Sequence, residues 1–207
     1  RMWNLQLYAA DPTAPTEVRM VPAVAGAAAF PAAWTAKTLG QPGDILDGRD
    51  GGVPDPSLIG PSMIQIGTEG GFLPAPVVWP NIPIGFNRNP KDITVGNVLE
   101  HNLFLGPAER ADVLIDFSQF AGQTVILYND APAAVPAADS RNDYYTGDVD
   151  QTATGGAPTT LPGYGPNTRT ILQFRVANSA PAAAYNLAGL QAEFATDPNT
   201  GAPGVFA

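Results

Sequence analysis

The chain of 207 residues carries 10 Lys and Arg against 19 Asp and Glu, a formal charge of −9 with an isoelectric point near 4.3. That balance excludes a nucleic-acid partner, which needs a basic surface to displace counterions. The absence of cysteine excludes disulfides, zinc ribbons, iron–sulfur ligation and a thiolate nucleophile together. No run approaches the roughly eighteen apolar residues of a membrane helix, and the most apolar segment, Val21 to Phe30, is broken by Pro22 and Gly26.

A chain of this length can bury a full core as one all-β domain. Gly and Pro, 22 each, predict long ordered loops between its strands. The start at Arg1, with neither Met nor a charged-then-apolar leader, reads as a piece of a longer polypeptide.

In chain order, Arg1 to Tyr8 alternates Trp3, Leu5 and Leu7 with Asn4 and Gln6, the period of a half-buried strand. Ala9 to Gly60 has no sustained period, and Pro12, Pro15, Pro22, Pro31, Pro42, Pro54 and Pro56 stop helix or central strand wherever one begins. Within it, Gly43 to Gly52 (GDILDGRDGG) is acidic but lacks the spacing of a calcium loop. It reads as a solvated insertion, part of the segment covering a neighbouring domain.

Ser62 to Leu73 (SMIQIGTEGGFL) reads as a strand running into a sharp turn at Gly67, Gly70 and Gly71. A phosphate cradle needs a helix behind such glycines, and Phe72-Leu73-Pro74 supplies none. Pro74 to Pro90 reads as a connection. Ile93 to Leu105 returns to alternation, with Leu99, His101, Leu103 and Leu105 in one phase and Glu100 and Asn102 in the other. The single histidine therefore falls on the leucine face, as a core-edge residue hydrogen-bonded to backbone.

Gly106 to Asp112 (GPAERAD) is a turn whose Pro107 fixes φ ahead of the next strand. Glu109, Arg110 and Asp112 are readable as carboxylates with an Arg clamp, or as a structural corner pinned by pairing of Arg110 with a nearby acid; the second is expected. Val113, Ile115 and Phe117 then alternate with Leu114 and Asp116, and after Gly122 the run Val125 to Tyr128 is apolar on both faces, as in a strand buried mid-sandwich.

Asp130 to Pro166 reads as a long polar loop. Its acids Asp139, Asp143, Asp148 and Asp150 are candidates for a hard cation such as Mn²⁺ or Ca²⁺, with a solvated acidic loop the plainer reading. Thr170 to Val176 puts Leu172, Phe174 and Val176 on one face and closes the sandwich. Residues 178–207 are rich in Ala and Pro without a pattern, the mark of a linker toward a further domain, so the domain is expected over 1–177.

Two of these stretches carry a resemblance. SMIQIGTEGGFL is similar to the Q-I-G-T-D-G-G-L-L stretch of bacterial laccase-like enzymes, with Glu69 in place of Asp. The turn Pro107-Ala108-Glu109-Arg110, preceding an apolar strand that ends in Asp116-Phe117, resembles the second cupredoxin-like domain of a three-domain multicopper oxidase of the laccase type. Gly67, Glu69, Gly70, Gly71, Pro107, Glu109, Arg110 and Asp112 make up the shared signature. The segment R-L-L-N-A that precedes the first strand in that family is absent here, so the N-terminal edge is expected to be truncated.

The resemblance implies a Greek-key, cupredoxin-like β-sandwich with very little helix, lying between two copper-bearing domains of the same polypeptide. The parent enzyme would couple one-electron oxidation of phenols or metal ions to reduction of dioxygen to water, in a periplasmic or extracellular setting. This domain would be a copperless spacer that also borders the substrate pocket. The residue counts agree, because a blue copper site needs two His and a Cys thiolate, whereas the chain has one His and no Cys. No catalytic residue and no cofactor of its own are expected, and surfaces meant for the flanking domains would favour self-association. The alternative is a non-enzymatic β-sandwich that binds a carbohydrate or a protein through its long loops. A hydrolase is disfavoured, since no Ser sits in a nucleophile elbow and His101 has no evident partner.

Overall fold

A computed structural model describes residues 2–21, 53–86, 91–94, 97–131, 148–161, 164, 167–183, 185–197, 199–202 and 204. The acidic run 43–52 and the candidates Asp139 and Asp143 lie outside the described residues.

The described chain is built of antiparallel strands: β1 Trp3–Ala9, β2 Met20–Val21, β3 Val53–Pro54, β4 Met63–Thr68, β5 Gly71–Trp79, β6 Gly85–Phe86, β7 Val98–Glu100, β8 Leu103–Leu105, β9 Ala111–Ile115, β10 Thr124–Asn129 and β11 Thr170–Arg175. A 4-stranded sheet runs β11-β10-β1-β8 and a 3-stranded sheet runs β5-β4-β9. The fold is all-β, and its two larger sheets face each other across one core. Leu7, Met63, Leu103 and Val125 form the buried centre, with Leu5, Leu105, Leu127 and Phe174 packed on it from one sheet and Trp79, Val113 and Ile115 from the other. Each fully buried aliphatic side chain there contributes about 1.5–3 kcal/mol.

The doubly apolar run at 125–128 is the strand expected mid-sandwich: β10 lies between β1 and β11, with Val125 and Ile126 fully buried and Tyr128 nearly so. On its second face Ile126 and Tyr128 pack with Tyr8 and Val18 in a smaller cluster, where the Tyr8 and Tyr128 rings meet edge-on.

Several expectations need correction. Asn4 and Gln6, placed on the polar face of a half-buried strand, are each 0% exposed; β1 is covered on both sides, the Gln6 amide donating to the Ile82 carbonyl and Asn4 Oδ1 accepting from the Asn102 N–H, while Asn4 Nδ2 has no partner among the described residues. Pro74 and Pro76 do not end the chain's extended run but lie within β5. They are tolerated because β5 is an edge strand and because pairing with β4 is irregular between Gln65 and Gly67. Ile93 is not in a strand; it lies in a turn and is 98% exposed. The alternation after it is split at His101 and Asn102, β7 pairing with β6 and β8 with β1. Leu172 is exposed, whereas Phe174 and Val176 pack on the core as expected.

The patternless tail contains a helix, α1 Leu187–Glu193, whose Asn186 side chain accepts from the Gly189 N–H at 2.9 Å as an N-cap. Phe194, just past it, is buried and meets Phe72 of β5 edge-on at 6.1 Å. A single aromatic anchor therefore places a segment that has no sequence period of its own.

Candidate functional site

The two signature stretches, some forty residues apart in sequence, form one corner. β4 pairs with β9 so that Gly67 faces Asp112 and Thr68 faces Ala111. The β4–β5 hairpin turns on Glu69 and Gly70, and Gly71 at φ 117° occupies a conformation that only glycine adopts without strain. The turn before β9 puts Ala108 at φ 69°, an uncommon conformation for a residue with a side chain.

Carboxylates at this corner bind backbone. Glu109 Oε2 accepts from the Gly106 N–H at 2.5 Å, and Glu69 Oε2 accepts from the Arg110 N–H at 3.1 Å. The Glu69 carboxyl is held below its ordinary value first by its own backbone N–H, then by that of Arg110, with the Arg110 charge adding to both. The expected pinning of the corner by Arg110 and an acid takes a different form. The main-chain N–H of Arg110 makes the contact to Glu69, and its guanidinium donates to the Ala108 carbonyl at 3.0 Å, closing its own turn. These groups are exposed and engaged with main chain, an arrangement suited to fixing a loop rather than to acid–base chemistry.

A second polar assembly lies inside the fold. The Asn102 N–H donates to Asn4 Oδ1 at 2.7 Å, and the Asn4 N–H donates to Asn129 Oδ1 at 2.9 Å. Asn102 also grips Ile82, accepting its N–H at 3.3 Å and donating to its carbonyl at 2.5 Å. Gln6 donates to the same carbonyl at 2.5 Å, and the Leu7 N–H donates to Asn81 Oδ1 at 2.9 Å. The Ile84 N–H reaches Asp130 Oδ2 at 2.6 Å. This network sews the non-strand segment 81–84 onto β1, supplying side-chain partners where no neighbouring strand does. Composition and period gave no warning of it; the only available signal was Asn inside otherwise apolar strands.

His101 sits at the core edge as expected. Its ring Nδ1 is 2.8 Å from the Asn102 carbonyl, and the rings of Trp79 and Phe104 flank it at centroid distances of 5.4 and 5.7 Å. Of the cation candidates, buried Asp148 accepts from the Thr160 N–H at 2.7 Å. Asp150 accepts from the Thr152 N–H and hydroxyl at 2.9 and 2.7 Å, which hold its carboxyl below the ordinary value. No group of three or more metal-binding side chains occurs among the described residues. Copper does not fit this donor set: the chain has one imidazole, its Nδ1 committed to a carbonyl, and no thiolate.

No family model matches the chain, and no solved structure matches it. A 71-residue segment, 34% of the chain, is 37% identical to a laccase of Bacillus stratosphericus, and the match spans 10% of that protein's length. Part of this chain is thus similar to part of a multicopper oxidase, and the chain spans a small fraction of the relative it matches.

Proposed function

We propose that this chain is a copperless, cupredoxin-like middle domain of a multicopper oxidase, a rigid spacer between two copper-bearing domains of one polypeptide. The observation that carries this reading is the convergence of the two laccase-like stretches on one corner, where Gly67 faces Asp112 and Glu69 accepts from the Arg110 N–H. The partial identity to a laccase supports it.

In this role the domain performs no redox step itself. Its residues supply geometry. The two-sheet core and the buried amides give a stiff body, and the exposed apolar residues along the edge strand β5, Phe72, Val77 and Val78, are the edge that a neighbouring domain covers. The parent enzyme would oxidise phenols or metal ions with dioxygen as acceptor, and this domain would form one wall of the substrate pocket.

The test is the coding sequence for about 200 residues, one or two domain lengths, on either side. His-x-His pairs and a His-Cys-His segment in those flanks are expected. Flanks without them overturn the oxidase reading and leave a β-sandwich binding module.

A further inference from the structure

We propose that a pocket of about 310 Å³, lined by the end of β9, the end of β11 and the tail that follows, binds a small organic cation, an amine carried on an aromatic or branched alkyl body. The proposal needs only this pocket and does not rest on the oxidase reading.

Its walls come from three places in the chain. The exit of β9 supplies Asp116, Phe117 and Ser118, the exit of β11 supplies Val176, and the returning tail supplies Pro181 and Tyr185 with several alanines. Phe117 is fixed by the core, its ring 5.0 Å from that of Phe174, so this wall is in place before any ligand arrives. The volume is at the lower end of small-molecule sites, enough for one ring and a short side chain.

The lining sets the ligand's charge. Asp116 is the only charged residue lining the pocket among the described residues. Its Oδ1 accepts from the Ser118 N–H at 2.8 Å, while its Oδ2 has no partner among the described residues. A carboxylate in a pocket whose lining includes Phe117, Tyr185 and several apolar residues attracts an ammonium group by charge, and aromatic residues in the same lining favour a cation over an anion. The same carboxylate repels anions, and a purely apolar ligand would strip water from it without compensation. The net charge of −9 adds a weaker, long-range preference for cations.

The experiment titrates the full 207-residue chain with phenethylammonium and, in parallel, with neutral 2-phenylethanol, following backbone amide shifts at Ser118, Ala121 and Val176. Saturable shifts with the ammonium, and binding of the alcohol weaker by about threefold or more, are expected for an exposed carboxylate. Asp116→Asn keeps the acceptor for Ser118 and should abolish that difference, whereas Glu193→Gln, which removes the same charge outside the pocket, should preserve it. Equal binding of the two probes, an unchanged preference in Asp116→Asn, or no saturable binding of phenethylammonium each overturns the proposal.

Discussion

Gly67 on β4 and Asp112 on β9 are direct cross-strand partners, and a Cβ on Gly67 would lie 3.0 Å from Asp112 Oδ2 and 3.0 Å from the Gly71 carbonyl oxygen. The carboxylate can swing away, but the carbonyl belongs to the hairpin itself. Gly67→Ala is therefore expected to destabilise the fold by about 1–2 kcal/mol through overpacking. Adding Asp112→Ala should recover only a minor part of the loss. Urea unfolding midpoints of the single and double variants check this, and full recovery would mean that the backbone contact is unimportant.

Asn102 holds both polar groups of Ile82 and, through its N–H, the side chain of Asn4. Asn102→Ala leaves the Ile82 N–H without its partner and the carbonyl with Gln6 alone, in a half-buried setting, a loss of about 1–2 kcal/mol. Hydrogen exchange locates it. The Ile82 amide should exchange much faster, while the Ile84 amide, held by Asp130 at 2.6 Å, should change less.

The difference between these two sites explains what was legible in the sequence. Alternation exposed β1, β9 and β11, and a run apolar on both faces exposed β10, because each sends apolar residues into one shared core. The glycines and the Pro-Ala-Glu-Arg turn marked the corner because turns demand particular residue types. The amide network left no such trace, since Asn4 and Gln6 look like a solvent face until the segment 81–84 is seen covering them. β5 was obscured by prolines that only an edge strand tolerates. α1 was invisible because Phe194 docks it through tertiary contact rather than through a periodic face.

Arg19 and Asp55 form an ion pair at 2.8 Å, with side chains 41% and 14% exposed. Burial pushes the Asp55 carboxyl up, but the Ser57 hydroxyl and N–H, followed by Arg19, outweigh it and hold it below the ordinary 3.8. A depressed carboxyl contributes stability that is complete above its unfolded pKa and is lost as pH falls through the folded one. The melting temperature should therefore decline below about pH 4. Asp55→Asn should cost less than about 1 kcal/mol at neutral pH and make the acid decline shallower. A decline that keeps its slope in the variant would assign it to other carboxylates.

Phe194 anchors α1 and the turn after it, where the Gly204 N–H donates to the Ala195 carbonyl at 2.7 Å. Phe194→Ala should release this segment locally, as an opening of low free energy separate from the main core. Faster exchange at Ala195 and Gly204 and weaker helical circular dichroism are expected with an almost unchanged unfolding midpoint. A large drop in the midpoint would place α1 within the cooperative core.

The exposed edge strand β5 carries the last prediction. Phe72, Val77 and Val78 are 53%, 37% and 41% exposed along it, Val77 and Val78 on its opposite faces, an apolar strip at the sheet edge of the kind that marks an interface. Pro74 and Pro76 remove backbone donors along the same edge, so contact through side chains is favoured over addition of another strand. If a neighbouring domain covers this strip in a longer polypeptide, the chain alone should use it for self-association, opposed by the net charge of −9 and hence strengthened by salt. Light-scattering mass should rise with protein concentration and more steeply at high ionic strength, and Val77→Lys should restore the monomer. A monomer at every concentration and salt level would show that β5 is not an adhesive edge, and the argument that a neighbouring domain covers it would lose its basis.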